Sequence, residues 1–398
     1  MKRANILFIL LLSLPVIALA QPKEITLETA IDLALKNNAG LRASSTQVEH
    51  ARKMVGTAFD IDKTEVYYHY DENNIAENGL PIGVWGISQS LQFPTVYGAQ
   101  RNANKAQVFL KEQEFQINEQ LLRKEVSKAY NTLVYWQNVA ANYHYLDSLY
   151  KQFSIAASRR YEVGETNYLE KLTATSKQKE VGLMLLQIKE NITKGHLELN
   201  KWMQLDSAFV VTESNLDKLE PTSIDTLRHP GLLYYQGAVS LSESKVSIEK
   251  QKLLPDINLN YFQGTNNGMD SKVYQGFQAG IGIPLFFGAQ KSKINAAKLE
   301  TEAVQSEALN YKQELITRYR QLETELTKYE EAINYYVQNG KTLSSELIHT
   351  ATKAFQNGEI DFVQYILSLD NAKSIEMTYL ENLYNYNQTV LEINYLMN

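Results

Sequence analysis

The sequence predicts a mainly α-helical protein with four membrane-type β-strands, built from one structural unit that occurs twice. A short run that begins with proline and ends in Gly-Ala-Gln occurs at 94–100 and again at 284–290. A second pair of similar runs, 161–168 and 355–362, follows in the same order, which indicates an internal duplication. The eight prolines also leave two long regions without any, and these regions favour helices.

The N-terminus has the pattern of a secretory signal peptide, which we place at residues 1–20. Two basic residues follow Met1, an apolar run extends from Ile6 to Ala20, and this run ends in Ala-Leu-Ala. The run is short for a membrane-spanning helix. Removal of this segment takes away Lys2 and Arg3 and makes the formal charge of −6 more negative, which argues against a nucleic-acid partner. With no cysteine in the chain, disulfides are excluded.

Two segments, about 64–93 and about 256–285, alternate between apolar and polar residues as β-hairpins do. The predicted apolar face includes Val66, Tyr68, Tyr70, Trp85, Ile87, Leu91, Phe93, Ile257, Leu259, Tyr261, Val273, Phe277, Ala279, Ile281 and Ile283. The opposite face carries polar residues such as Asn258 and Gln278. A membrane barrel with lipid outside and water inside needs this alternation, and a half-buried soluble sheet has it too.

The proline-free regions predict two long helical hairpins, 98–203 and 288–397, with turns near Gly164 and Gly358. A glycine at each turn accommodates a positive φ. In the second hairpin, two rows of residues with seven-residue spacing predict a coiled-coil seam. These rows are Leu322, Tyr329, Tyr336 and Leu343, and Leu326, Ile333, Gly340 and Leu347.

Four strands are too few to close a membrane barrel, because the smallest bacterial barrels have eight. An open sheet edge in lipid would leave backbone groups unpaired. Several copies of the chain must therefore share one barrel, with helical hairpins of about 100 Å lined up beneath it. An exported chain of this design indicates a tube through the outer membrane and the periplasm.

The layout resembles the TolC family of outer-membrane efflux channels over essentially the whole mature chain. The features that carry the resemblance are the signal peptide, the opening Leu27-Glu-Thr-Ala-Ile-Asp-Leu-Ala-Leu-Lys-Asn-Asn38, the duplicated hairpins and the two Gly-Glu turns. The resemblance implies a homotrimer, in which four strands per subunit form a shared twelve-stranded barrel above a long α-helical barrel. The duplicated runs themselves divide the mature chain into repeat 1 at 21–205 and repeat 2 at 206–398, interleaved in one structural unit. The C-terminal tail, from Gly358 onward, is more similar to the heavy-metal-cation (CusC/CzcC-like) branch than to the multidrug branch.

In this family the turns between the long helices form a periplasmic tip, which meets an adaptor protein that joins an inner-membrane pump. By position, the docking tip here comprises Tyr161, Gly164, Glu165, Phe355, Gly358 and Glu359. The multidrug prototype narrows its entrance with acids six and nine positions after the second tip glycine, where this chain has Gln364 and Leu367. The candidate gate residues are Glu170, Asp361, Gln364 and Asp370. Acids at these positions also favour a helix start in their own right.

The sequence predicts no enzyme, no cofactor and no metal site, because no nucleophile–base pair or ligand spacing stands out. The six histidines are scattered, at positions 50, 69, 144, 196, 229 and 349. The expected function is therefore an outer-membrane exit duct that receives substrate, heavy-metal cations in particular, from an RND-type pump and an adaptor. The alternatives are a multidrug or type I secretion channel, and a non-channel exported coiled-coil scaffold or adaptor protein.

Overall fold

The computed structural model describes residues 23–206, 208–222 and 229–396, so the predicted signal peptide lies outside the described residues. The first half contains β1 (Lys23–Ile25), α1 (Leu27–Asn37), α2 (Ala39–Met54), β2 (Glu65–Ile75), β3 (Pro81–Leu91), α3 (Pro94–Glu162) and α4 (Tyr168–Met203). The second half contains β4 (Phe209–Val211), α5 (Pro230–Gln251), β5 (Asp256–Thr265), β6 (Tyr274–Gly282), α6 (Gly288–Tyr335), α7 (Lys341–Gln356) and α8 (Phe362–Leu396). The predicted fold class, mainly helical with four long strands, is confirmed.

Helix α3 is the longest element, with 69 residues and a length of about 100 Å. Pro94 is at its start, where the missing N–H of proline costs no hydrogen bond. No proline follows within the helix, and two arginines, Arg159 and Arg160, lie in its last turn, where cations interact favourably with the helix dipole.

The second long helix is interrupted, because a π-helical turn, Tyr336–Gly340, joins α6 to α7. A π-turn contains one more residue than an α-helical turn. The residues that face the core after the turn therefore lie one position later in the sequence than seven-residue spacing predicts. Before the turn the predicted seam holds, since Leu322 and Ile333 are buried. After it the predicted seam is wrong: Leu343 is 43% exposed, and the buried residues are Ser344 and Ala351.

The four long strands form one antiparallel sheet in the order β2-β3-β5-β6. The register places Val66, Ile87, Tyr261 and Phe277 side by side across all four strands. Paired residues in adjacent strands share a face, so the predicted apolar face is confirmed. The two hairpins meet at β3 and β5, which leaves β2 and β6 as the edge strands of this sheet.

The helices repeat the order of the strands. Near the sheet, α2 packs against α3, α3 against α5, and α5 against α6. Toward the tips, α4 packs against α3, α3 against α8, and α8 against α7. The helices near the sheet are therefore in the order α2-α3-α5-α6, and those toward the tips are in the order α4-α3-α8-α7. Each of these two rows has a helix of the first half at one end and a helix of the second half at the other. None of the helices within the described residues is both long and apolar enough to cross a membrane.

A second, two-stranded sheet, which the sequence did not predict, lies beside the middle of the long helices. Strand β1 pairs in parallel with β4. The hydroxyl of Tyr130 in α3 donates a hydrogen bond of 3.0 Å to the carbonyl of Ile25. At the start of α1, Thr26 is the N-cap and accepts a hydrogen bond from the backbone N–H of Thr29.

The buried apolar residues lie in two main clusters along the length of the molecule. The larger cluster joins α1, α3, α4, α8 and the small sheet, and it includes Val126, Leu133, Leu199 and Val390. The second cluster lies close to the helical turns and includes Tyr150, Phe362, Ile366 and Leu369. Packing between the two halves therefore reaches from the middle of the molecule to its tip.

Candidate functional site

The two helical turns have the same backbone geometry. Gly164 and Gly358 have φ angles of +79° and +75°, in the left-handed region that glycine occupies without strain. At the first turn, the N–H of Glu165 bonds to the carbonyl of Arg160 at 2.8 Å. At the second, the N–H of Glu359 bonds to the carbonyl of Ala354, also at 2.8 Å. Both turns are therefore glycine-dependent helix ends of the Schellman type.

Each returning helix begins with a side-chain cap. Asn167 accepts a hydrogen bond of 2.9 Å from the backbone N–H of Glu170 at the start of α4. At the start of α8, Asp361 accepts from the N–H of Gln364 at 2.8 Å, and Gln364 accepts from the N–H of Asp361 at 3.1 Å. This reciprocal pair is a capping box. Two of the candidate gate residues, Asp361 and Gln364, therefore form a local helix start.

The candidate gate residue Glu170 has partners within its own turn. Its carboxylate accepts a hydrogen bond from the hydroxyl of Thr166 and lies 3.3 Å from the guanidinium of Arg160. Arg160 also lies 3.8 Å from Glu165. These contacts connect the end of α3 to the start of α4 and place a positive charge beside the two carboxylates of the turn.

The candidate gate residue Asp370 joins three helices. Tyr150 of α3 donates a hydrogen bond of 2.6 Å to one carboxylate oxygen, and Lys177 of α4 lies 2.9 Å from the other. Burial, followed by the bond to Asp370, raises the pKa of Tyr150. The bond to Asp370 also raises the pKa of Lys177. Asp370 of the second half is therefore tied to both helices of the first hairpin.

Aromatic rings pack the second turn against the first hairpin. Phe153 of α3 lies edge-on to Phe355, Phe362 and Tyr365, with ring centroids 5.2 to 6.0 Å apart, an arrangement that favours aromatic pairs. Phe355 also stacks on Tyr365, with centroids 4.8 Å apart. The predicted tip residue Phe355 is therefore half-buried in this cluster rather than free at the surface.

The other predicted tip residues lie at the surface. Gly164, Glu165, Gly358 and Glu359 are exposed, and Tyr161 is 39% exposed. Tyr161 packs against Tyr168, with ring centroids 5.7 Å apart, and the ammonium group of Lys171 lies 4.9 Å from its ring. Exposed apolar side chains surround this turn, namely Val163, Tyr168, Leu169 and Leu172.

Sequence reasoning missed three residues that position the tip: Tyr150, Arg160 and Lys177. The sequence did not mark the buried position at Tyr150, because its equivalent, Ser344, lies outside the predicted seam. Tyr150 precedes Gly164 by the same number of residues as Ser344 precedes Gly358. Both are buried, and each donates to a carboxylate of α8, Tyr150 to Asp370 and Ser344 to Glu376. Within the described residues, no group of three or more acidic or histidine side chains is arranged to hold a metal ion.

The two faces of the four-stranded sheet differ in chemistry. Large side chains of the apolar face are highly exposed, among them Val66, Trp85, Phe277 and Ile281 at 50% or more. On the other face, the hydroxyl of Tyr67 donates a hydrogen bond of 3.0 Å to Asn260, and Ser88 and Gln278 flank Asn260 in the same row. The sheet therefore has one largely apolar face and one mixed face, on which hydrogen-bonding groups lie beside Phe262, Val84 and Ile82.

The whole chain is similar in structure to several outer-membrane channels. It matches CusC with a TM-score of 0.79 at 14% sequence identity, over 93% of this chain and 91% of that one. It matches the CmeC outer membrane channel of Campylobacter jejuni with a TM-score of 0.76 at 16% identity, over 93% and 85% of the two chains. The outer membrane protein VceC of Vibrio cholerae gives 0.76 at 15% identity, over 93% and 95%.

Comparison by sequence finds no such neighbours. No protein-family profile matches the chain, and no curated protein matches it either. At identities of 13 to 16%, the structural likeness identifies a fold. This protein has the fold of the CusC, CmeC and VceC outer-membrane channels.

Proposed function

We propose that this protein is the outer-membrane channel of a tripartite efflux system, working as a homotrimer. In such a system an RND-type inner-membrane pump and a periplasmic adaptor pass substrate into the channel. The observation that carries the proposal is that the sheet, the helices beside it and the helices at the tip are all arranged in the same order. Each of these three layers is a row of four elements, which begins with the first repeat, ends with the second and is open at both ends. Three copies joined side by side would close all three rows at once, giving a barrel of twelve strands.

The two repeats, 21–205 and 206–398, act as one interleaved unit in this proposal. Support comes from α3 of the first repeat, which packs against α5 and α8 of the second. The sheet is also shared, since its central pair, β3 and β5, comes from both repeats. Neither repeat has a complete row of its own, so the functional unit is the whole chain.

The proposed location is the outer membrane, with the apolar face of the sheet toward lipid and the helices in the periplasm. The apolar face supports this, because its exposed side chains would meet acyl chains instead of water. The rival function, an exported coiled-coil scaffold or adaptor protein, needs no lipid contact. Fractionation distinguishes the two: a channel stays with the outer membrane until detergent is added, whereas a scaffold is released without it.

The proposed adaptor-docking surface is the pair of turns around Gly164 and Gly358. Their matching backbone geometry supports a ring in which the two turns alternate. Glu165 and Glu359 occupy equivalent exposed positions and would present a repeated carboxylate to the partner. The apolar side chains around Gly164, such as Val163 and Leu169, would supply buried contact area.

The proposed substrates are heavy-metal cations, with a multidrug channel as the alternative. Exposed carboxylates at the turns support cation entry, because rings of acidic side chains favour cations in a pore. Among the candidate gate residues, Asp361 is the exposed carboxylate. Glu170 and Asp370 already form ion pairs with Arg160 and Lys177. A passive duct needs neither a catalytic residue nor a cofactor.

Growth measurements test the substrate. Cells without the gene, and the same cells with it restored, are grown on graded heavy-metal salts and on a panel of drugs. The cation proposal predicts a loss of tolerance to the salts alone, and sensitivity to drugs alone would contradict it. Asp361→Asn keeps an N-cap side chain but removes a charge, so it should lower tolerance to the salts while channel abundance stays normal.

A further inference from the structure

The two repeats differ at the junction between sheet and long helix. In the first repeat, Pro94 is the first residue of α3, and the residues after it are part of the helix. Val96 is buried. Tyr97 stacks on Phe59, with ring centroids 5.8 Å apart, and its hydroxyl accepts a hydrogen bond of 3.0 Å from the N–H of Gln92. The first junction therefore packs its large side chains against the protein.

The second junction leaves its large side chains in the open. Helix α6 begins only at Gly288, so the residues after Pro284 lie outside the helix. Leu285 is 75% exposed, Phe286 94% and Phe287 60%. Three consecutive large apolar residues at this exposure are unusual on a surface that faces only water. The matching residues of the first repeat are Thr95, Val96 and Tyr97. The two repeats therefore differ both in the size of these side chains and in their exposure.

The exposed triple follows the apolar face of the sheet along the chain. Ile281, in β6, is 66% exposed and lies in the same row as Ile257 and Leu91. Ile283, two residues further along, is 60% exposed. Exposed apolar side chains therefore continue along the chain past the last hydrogen-bonded residue of the sheet, as far as Phe287.

Basic residues follow directly after the triple. The first turns of α6 carry the exposed residues Lys291 and Lys293, followed by Lys298, and the first acidic residue of this helix is Glu300. The adjacent end of α5 carries Lys250 and Lys252, of which Lys252 is paired with Glu249 at 2.6 Å. The order of an apolar segment followed by cations matches the order of acyl chain and phosphate across one leaflet of a phospholipid membrane.

We propose that Leu285, Phe286 and Phe287 form a membrane wedge, which inserts into the phospholipid leaflet on the helical side of the membrane. Lys291 and Lys293 would bind the phosphates of that leaflet. The wedge belongs to the second repeat alone, so a trimer would carry three of them around its sheet. This inference rests on the proposed outer-membrane location and names the lipid contact that fixes the depth of the sheet.

Single cysteines can test the wedge, because the natural chain has none. Phe286→Cys places a label on the wedge. Ile281→Cys places one on the apolar face of the sheet, and Lys298→Cys places one on the exposed part of α6. Each full-length variant is labelled with an environment-sensitive fluorophore and reconstituted into phosphatidylethanolamine–phosphatidylglycerol vesicles. Quenching is then measured with brominated phospholipids and, separately, with iodide in the water.

The wedge predicts that brominated phospholipids quench the Phe286 label at least twofold more strongly than the Lys298 label. Iodide should quench the Phe286 label at least twofold less than the Lys298 label. The Lys291→Gln, Lys293→Gln double variant should make the Phe286 label more accessible to iodide, because two phosphate contacts are lost.

Two results would overturn the wedge. Equal iodide quenching at positions 286 and 298 would place the triple in water, and shielding from both quenchers would place it against another copy of the chain. In either case lipid quenching at position 281 would leave the proposed membrane location intact. Absence of lipid quenching at position 281 would instead contradict that location.

Discussion

At the scale of single residues, the most demanding positions are the two tip glycines. Their positive φ angles would strain any other residue. A β-carbon at either position would meet no heavy atom within 4 Å. The cost of a substitution there is therefore backbone strain alone. A substituted side chain would not clash with its neighbours.

Alanine at either tip glycine is expected to destabilise the protein by about 1–2 kcal/mol through this strain. The measurement is chemical unfolding of the detergent-solubilised protein, followed by helical circular dichroism. Gly182→Ala is a suitable control, because Gly182 lies within α4 without a positive φ, and its β-carbon would also be unobstructed. The control should gain up to about 1 kcal/mol. Equal effects at all three positions would contradict the strain argument.

On the proposed efflux function, Gly164→Val and Gly358→Val are expected to reduce export while the trimer remains assembled at normal abundance. The strain is small compared with the packing of the long hairpins, but it would distort the surface proposed for the adaptor. The measurement pairs channel abundance in the outer membrane with cellular tolerance of exported substrates. Full tolerance in both variants would remove these glycines from the docking surface.

His229 is expected to make stability depend on pH. Its Nδ1 accepts a hydrogen bond from the N–H of Leu232, and this contact caps α5. Its Nε2 lies 2.6 Å from the carbonyl of Leu396, and this contact anchors the end of α8. Burial lowers the pKa of His229 below 6.5. The unfolded chain therefore binds the proton more readily, and stability falls as the pH drops below 6.5 toward the folded pKa.

The variant His229→Asn keeps a cap acceptor but cannot titrate. Thermal unfolding midpoints at pH 7.5 and pH 5.5 should differ less in this variant than in the natural protein. His196, whose pKa burial also lowers, is unchanged in both proteins and cancels in the comparison. An identical pH dependence in the two proteins would exclude His229 as its source.

At the scale of elements, the sheet makes a prediction about its two faces. Arginine on the apolar face is expected to cost about 2–4 kcal/mol near the bilayer midplane and about 0–1 kcal/mol near an interface. Ile281 lies one residue from the end of β6, so the cost at Ile281 should be smaller than the cost at Leu259. Arginine at Asn258 or Gln278, on the polar face, should be tolerated because that face would line water. The measurement is the amount of heat-stable, membrane-inserted oligomer for each variant. Equal damage at all four positions would mean that the faces are assigned wrongly.

The π-turn makes a second prediction at this scale. Deleting Gln338, which is exposed, should allow α6 and α7 to join as one α-helix. Because the deletion removes the extra residue that the π-turn accommodates, Ser344 should stay in the buried row and keep its 3.0 Å hydrogen bond to the carbonyl of Ala372. We therefore expect the tip to remain resistant to proteolysis, and faster proteolysis would contradict this account of the π-turn. Deleting Lys151, which is exposed in the uninterrupted helix α3, is the contrast, because the residues after it would rotate out of register and the tip should be cleaved faster.

The elements also show what sequence patterns could and could not predict. Proline-free helices, strand alternation and glycine turns follow from local rules, so their positions could be predicted. The shift of the seam to Ser344 could not, because heptad counting assumes one uninterrupted helix. The link between Tyr150 and Asp370 joins residues 220 positions apart, and the small β1–β4 sheet has only three residues in each strand. Both depend on tertiary packing that periodicity does not contain.

At the scale of the whole molecule, the duplication explains why one chain is open at both sides. Each repeat contributes one β-hairpin and one long helical hairpin, and the two repeats lie next to each other in the same order throughout. The free edges are β2 of the first repeat and β6 of the second. An edge of this kind in lipid requires another strand, which further copies of the same chain can supply.

The most direct test of this account is the mass of the purified protein in mild detergent. Light scattering, with the detergent contribution subtracted, gives the number of chains, and circular dichroism reports whether β-structure is retained. The account predicts a homogeneous assembly of three chains with its β-structure intact. A homogeneous monomer that retains the same β-structure would contradict the shared barrel and, with it, the proposed channel.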